Sequence, residues 1–287
     1  MAVSQQPMPD VLLDTHAPTR GHRRGMAIAP FPRLVEDESA DTIAELVAVF
    51  HGALLPKVAT ANAAVRCETR YRPGERRLSL GGDFLDVVDA PDGQLAFVIG
   101  DVSGHGPFAA AVALAMRASW RTLALGEPDL AVWLSRMEQV LGSLPRSDEL
   151  FVTVCTGIID IAGERGSVVS AGHPPPVLLT DGATPIRMTP SPPLGVAPTP
   201  SHELVLSQFE VAEDWGLLAY TDGLIEGRIE PGSPERYGAE SLAAWLSMHR
   251  PSELDRAGLD ALIAHAEAAN GGPADDDVAI LLLTRQP

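Results

Sequence analysis

Residues 81–106 read GGDFLDVVDAPDGQLAFVIGDVSGHG, and the fold is decided there. Two apolar runs, 84–90 and 94–100, flank Pro91-Asp92-Gly93. Proline presets φ for a turn, Asp caps it locally and Gly takes the left-handed position, so the segment is expected to form a β-hairpin. Asp83 stands nine positions before Asp92, and Asp101 nine after it. A hairpin folded at Asp92 sets these two carboxylates opposite each other, with Cα atoms roughly 5 Å apart. Facing carboxylates at the end of an apolar hairpin repel, so either one is protonated or a cation sits between them. An all-oxygen environment favours a hard ion, Mg²⁺ or Mn²⁺. Gly81, Gly82, Gly100, Gly104 and Gly106 crowd the two acids and let backbone approach a ligand closely. Either Asp alone reads as a turn cap. The symmetric pair with its glycines reads as a site.

Composition narrows the function. The 287 residues allow one large domain or two small ones, and a hydrophobic fraction of 45% is ample for a core. A net charge of −17 argues against a grip on nucleic acid or on an anionic membrane surface. It would also repel phosphorylated substrates, so a phosphate-handling site needs cations to invert the local field. The two cysteines, Cys67 and Cys155, sit in apolar strand-like surroundings and read as small buried hydrophobes in a reducing compartment. The N-terminus lacks a secretory pattern, and no apolar run approaches a membrane span, so a cytoplasmic protein is expected.

Outward from the hairpin, residues 1–37 are rich in Pro, His and Arg without periodicity and are expected to be a mobile extension. Its only basic spot is Arg20, Arg23 and Arg24. Residues 38–56 are expected to be an amphipathic linker helix, with Ile43, Leu46, Val47, Phe50 and Leu54 on one stripe. Such a stripe packs on its own domain by default, and could instead pair with a second copy in a homodimer. Residues 57–287 form the remaining domain. Strands are expected at 64–71, 151–161, 167–171, 177–180, 202–211, 216–220 and 278–284, and helices at 107–125, 127–141, 238–249 and 252–270. The last helix carries a capping box, Ser252 with Asp255. The helix at 107 opens beside the Asp101 loop and points its N–H groups toward it. Strands and helices come in blocks, which favours α+β over a parallel doubly wound sheet.

Two further acidic sites lie at strand ends: Asp222 in YTDG, and Asp275-Asp276-Asp277 before the last strand. Singly, each reads as a turn or cap. Together, Asp83, Asp101, Asp222 and Asp276 match a cluster holding two cations about 3.5–4 Å apart.

The ordered set GGDFLD, GDVSGHG, SAGHPPP, PLGV, YTDGLIEGR and DDDVAILLL resembles the bacterial stage II sporulation E phosphatases, within the metal-dependent type 2C serine/threonine phosphatase superfamily. The resemblance covers residues 64–285. It implies a four-layer αββα sandwich with two central antiparallel sheets and two Mn²⁺ or Mg²⁺ ions at one edge. By motif, Asp83, Asp101, Asp222 and Asp276 would be the catalytic metal ligands, with Val102 ligating through its carbonyl. Asp275 is the alternative to Asp276, and Asp86 and Asp277 would support the ligands from behind. The chain departs from the family at Leu85, where Tyr is usual. Ser103 replaces the His proposed as general acid in eukaryotic members; His105 is near but not equivalent. No phosphate-binding Arg is evident, since Arg70 and Arg72 are only near in sequence. His173 reads as part of a structural turn rather than as a base.

The activity implied is hydrolysis of phosphoserine or phosphothreonine on a protein, with an anti-anti-sigma factor as the partner the resemblance favours. A catalytically weak regulatory binding module of the same fold is the alternative. A nucleotide hydrolase built on the same cluster is a third reading. The helices after Asp101 are expected to gate metal binding, as the resemblance implies.

Overall fold

The computed structural model describes residues 40–286 except 57, 59, 74–79, 146–148, 198–199, 201–202, 212, 228–235, 270–271, 273 and 275. The expected extension at 1–37, its arginines and the alternative ligand Asp275 therefore lie outside the described residues.

The hairpin folds as its spacing requires. Strand β2 (Phe84–Asp89) pairs antiparallel with β3 (Leu95–Val102), in a register that sets Phe84 against Gly100 and Asp89 against Leu95. Continued by one residue, that register sets Asp83 against Asp101. The turn is a short 3-10 segment, Pro91–Gly93, in which both Asp92 (φ 60°) and Gly93 (φ 73°) are left-handed. Asp tolerates that conformation better than most side chains.

Strands β1 (Val65–Arg72), β6 (Val177–Leu179), β7 (Ala183–Pro185), β9 (Gly216–Tyr220) and β10 (Val278–Arg285) form one sheet, in the order β1-β10-β9-β6-β7. The hairpin joins β4 (Val152–Asp160), β5 (Arg165–Ala171) and β8 (Ser207–Glu210) in a second sheet, ordered β2-β3-β4-β5-β8. Every named pair is antiparallel. Helices α2 (Pro107–Ala124) and α3 (Leu130–Ser143) cover the second sheet, and α4 (Gly238–Leu246) and α5 (Arg256–Ala269) the first. This is the expected α+β sandwich of four layers.

Alternation along each central strand explains the layering. Leu95, Phe97 and Ile99 of β3 point between the sheets, where they meet Leu217, Ala219, Leu281 and Leu283. Ala96, Val98 and Val102 point the other way, into Ala113, Met116 and Trp120 of α2. Both faces are covered, so these strands read as unbroken apolar runs. The alanines of α2 let the helix sit close on the hairpin. Trp120 donates to Thr156 Oγ1 (2.8 Å), which donates to the Phe97 carbonyl (2.7 Å), so this buried polar pair is satisfied.

Several boundaries moved. Helix α3 starts at Leu130 rather than 127, because Asp129 caps it by accepting from the Ala131 amide at 3.0 Å. The expected strand 202–211 shortens to β8, and β7 was not foreseen. The capping box is corrected as well. Ser252 belongs to a separate 3-10 turn, and Asp255 caps α5 by accepting from the Gly258 amide at 3.0 Å. Helix α1 (Ala40–Leu54) packs Val47, Phe50 and Leu54 on the α2 side of its own domain, while Leu46 and Val49 stay exposed. Among the described residues no helix is long and apolar enough to cross a membrane.

Asp86 is the charged residue of the hairpin that faces helix α2. It is 2% exposed and pairs with Arg117 and Arg121, each at 2.8 Å. The expectation that it supports metal ligands is corrected: β-alternation turns it to the side of Phe84 and Val88 and toward α2. Removing a buried ionic partner strands the others. Asp86→Ala is expected to cost about 3 kcal/mol, near the lower end of the range for buried pairs because Arg121 can reach water. Urea denaturation would show it as a lower midpoint at unchanged slope.

Candidate metal centre

Four strand ends from both sheets come together at one edge. Asp83 and Asp101 lie at the open end of the hairpin. Asp222 begins a 3-10 turn, Asp222–Leu224, directly after β9 and Thr221. Asp276 and Asp277 immediately precede β10, which pairs with β9. The charges interact as one group: Asp101 feels Asp222, Asp276 and Asp277, and Asp83 feels Asp101, Asp277 and Asp276. Residues separated by nearly two hundred positions thus share one electrostatic site.

The glycines define the space between them. A Cβ on Gly82 would overlap the Val102 carbonyl oxygen and come within 2.9 Å of Asp101 Oδ1. Those two oxygens therefore converge on one point above the Gly82 backbone. The Gly82 carbonyl accepts from the Val102 amide at 3.2 Å, which closes the hairpin mouth. A Cβ on Gly81 would overlap the Asp277 carboxylate, so only glycine permits that approach.

Thr221 is the organising hydroxyl. It donates to Asp83 Oδ2 at 3.0 Å and accepts from the Ala279 amide at 2.8 Å. It thereby ties Asp83, from one sheet, to β9 and β10 of the other. Asp276 accepts from the Asp277 amide at 2.8 Å.

Burial and mutual repulsion disfavour ionisation of Asp83, Asp101, Asp222 and Asp276. Burial, then the Asp101 and Asp277 charges, hold Asp83 well above the usual carboxylate range. Asp101 is pushed up to about 8 by burial, then by Asp222, Asp276 and Asp277. Burial is also the leading cause of the rise at Asp222 and at Asp276. Asp83 and Asp101 share a hydrogen bond, so a retained proton belongs to the pair rather than to either acid.

These groups fit hard divalent cations. The donors are carboxylates and one carbonyl, and the Gly82 cradle, which a Cβ would fill, lies beside Asp101 and the Val102 oxygen. Among the described residues no three carboxylates, imidazoles or thiols are gathered tightly enough to hold an ion alone. Mg²⁺ usually takes one or two carboxylates and keeps several waters, so a spread cluster suits it better than a closed cage.

The other sequence candidates take defined places. Arg70 makes a bidentate pair with Asp260 of α5 (2.6 and 2.8 Å), and Arg72 pairs with Glu267 at 2.7 Å. Both serve the α5 contact. Ser103 accepts from the Phe151 amide and donates to the Glu149 carbonyl, both at 3.0 Å, which is loop structure. Leu85 is fully buried between the sheets. His105 lies close enough for its charge to lower Asp276. His173 is buried with both ring nitrogens engaged, and burial pushes its pKa down to about 4. It is neutral and structural, as its turn sequence suggested. Glu226 was not singled out in the sequence. Its charge raises Asp222 and Asp276, and it pairs with Arg236 at 2.6 Å. Its position four residues after Asp222, on the same turn, was the available signal.

A pH dependence follows for the metal-free chain. The Asp83–Asp101 pair titrates near 3.8 when unfolded and well above it when folded, with Asp101 pushed up to about 8, so the fold binds extra protons between these values. The stability this contributes is complete below about pH 4 and is lost as pH rises toward 8. His173 is neutral in both states above about pH 6.5, so it does not offset the loss there. In EDTA, the melting temperature should therefore fall between pH 6.5 and 8, and Asp101→Asn should flatten that slope.

Comparison with known proteins follows the same lines. Residues 91–286 match the family Stage II sporulation protein E (SpoIIE). The phosphoserine phosphatase RsbP of Bacillus subtilis (strain 168) is 32% identical over 170 residues, 58% of this chain and 41% of its own length. Among solved structures, the SiaA-PP2C domain of Pseudomonas aeruginosa superposes with a TM-score of 0.67 at 18% identity, over 86% of this chain and 96% of that one. The RsbU and RsbW domains of Rv1364c from Mycobacterium tuberculosis superpose with a TM-score of 0.61 at 26% identity, over 77% of this chain and 60% of that one. The match thus spans less than two thirds of RsbP and of the Rv1364c chain. The motifs, the two-sheet sandwich and the matched residues agree: the chain belongs to the stage II sporulation protein E family.

Proposed function

We propose that this chain is a metal-dependent protein serine/threonine phosphatase, a phosphoric monoester hydrolase that cleaves phosphoserine or phosphothreonine. The observation that carries the reading is the convergence of Asp83, Asp101, Asp222 and Asp276 at one sheet edge, in a chain of the sporulation E family. Those carboxylates and the Val102 carbonyl would hold two Mn²⁺ or Mg²⁺ ions. Bound there, the ions supply an acidified water and positive charge for the phosphoryl oxygens.

The chain's own residues set the conditions. Thr221 orients the Asp83 carboxylate by donating to its Oδ2. Gly82 keeps side-chain bulk away from the meeting point of Asp101 and Val102. His105 supplies an imidazole beside Asp276. His173, with both nitrogens engaged, does not serve as a base. The excess of acidic residues over the whole chain would repel a phosphoprotein, so cations at this edge would also reverse the sign of the field that the substrate meets.

The substrate class we favour is a phosphorylated anti-anti-sigma factor in a partner-switching pathway. RsbP, named as a phosphoserine phosphatase, and the RsbU-containing structure support that choice. A homodimer through α1 would use the exposed Leu46 and Val49, and sedimentation of Leu46→Glu beside the unaltered chain would report it. The intact acidic set speaks against a catalytically weak binding module.

Phosphate release from phosphoserine proteins and from p-nitrophenyl phosphate should require Mn²⁺ or Mg²⁺. Asp101→Asn should lower it by at least about 100-fold while circular dichroism stays unchanged. Undiminished turnover in that variant, or turnover in EDTA, would remove the assignment. Preference for a nucleotide over a phosphopeptide in competition would shift it to a nucleotide hydrolase.

A further inference from the structure

We propose that His173 is a positioning residue, a neutral imidazole strut that locks the two sheets together at the metal edge and sets the spacing of Asp101, Asp83 and Asp222. The inference rests on the two-cation reading above for its effect on metal affinity, but its geometry is independent of it.

The strut begins at Thr153, the residue of β4 paired directly with Asp101 of β3. The Thr153 hydroxyl and His173 Nδ1 are 2.8 Å apart. On the far side, His173 Nε2 lies 3.1 Å from the Tyr220 carbonyl. A carbonyl only accepts, so Nε2 carries the proton and Nδ1 accepts from Thr153. Tyr220 is the last residue of β9, in the opposite sheet. Thr221 comes next and donates to Asp83, and Asp222 follows it. One ring therefore bridges the strand beside Asp101 to the strand that delivers Thr221 and Asp222.

The ring is itself held. The Ser170 hydroxyl accepts from the His173 amide at 3.1 Å and donates to the His173 carbonyl at 2.9 Å. Gly172 takes φ +66° to make this turn, and its amide donates to the Ser191 carbonyl at 2.8 Å. His173 is 7% exposed. A short aliphatic replacement would leave the Thr153 hydroxyl and the Tyr220 carbonyl without these partners. Between layers that meet largely through apolar contacts, this is a second directional link beside Thr221–Asp83, placed at the end where carboxylate spacing matters.

The test combines calorimetric Mn²⁺ titration with amide hydrogen exchange in EDTA, on the full chain, His173→Ala and Thr153→Val. Mn²⁺ affinity should fall on the order of 10-fold in His173→Ala. Exchange at the Thr221 and Ala279 amides should rise, while the amides of α5 keep their protection. Thr153→Val removes only the hydroxyl and should move both readouts the same way; it decides the question if His173→Ala fails to fold. Unchanged affinity overturns the positioning role, with or without faster exchange at Thr221. So does a uniform rise in exchange across the domain, which marks simple destabilisation. If the unaltered chain takes up no Mn²⁺, the two-cation reading fails instead, and exchange at Thr221 and Ala279 alone then judges the strut.

Discussion

Carboxylates that repel one another, gathered at the edge where two sheets meet, are the constraint on which the rest of this structure depends. Asp83 and Asp101 are forced together by hairpin register, and Asp222 and Asp276 by the pairing of β9 with β10. Left alone, such a group would spread apart or take up protons, and the raised pKa values of its members express that cost. The fold tolerates it because the strands bearing the acids are anchored by apolar side chains on both faces.

Anchoring at a distance does not by itself set side-chain positions. The polar links at the edge do so. Thr221 couples Asp83 to the opposite sheet, and the Val102 amide closes on Gly82. His173 spans the gap between Thr153 and Tyr220. Each of these groups is neutral, so it orients an acid without cancelling its charge. A lysine or arginine in the same place would neutralise the cluster and leave a cation less to bind.

The two faces of the hairpin divide the labour. Leu85 and Val87 join the core between the sheets, whereas Asp86 reaches Arg117 and Arg121 of α2. The helix that opens beside the Asp101 loop is therefore tied to the hairpin by charge as well as by Trp120 and Met116. This ionic contact and the edge cluster are kept apart by position and by alternation, since Asp83 lies just before β2 whereas Asp86 lies within it and turns to α2.

The linear chain was enough to establish the hairpin, its register, the α+β class and the strand-end positions of the acids, while the four-layer sandwich followed from the family resemblance. Period-two alternation, turn chemistry and unbroken apolar runs are local signals, and they survive folding because each is set by near neighbours. The facing of Asp83 and Asp101 followed from counting to the turn. Only the tertiary structure decided that Asp86 turns to α2, that Arg70 and Arg72 serve α5, and that Asp255 rather than Ser252 caps that helix. It also placed Glu226 beside the cluster and made His173 a bridge between sheets. Partners such as Thr153 and Tyr220 are far apart along the chain from each other and from Asp101 or Asp83, and no local spacing encodes them. Their meeting depends on how two sheets stack, which is settled by packing between the layers.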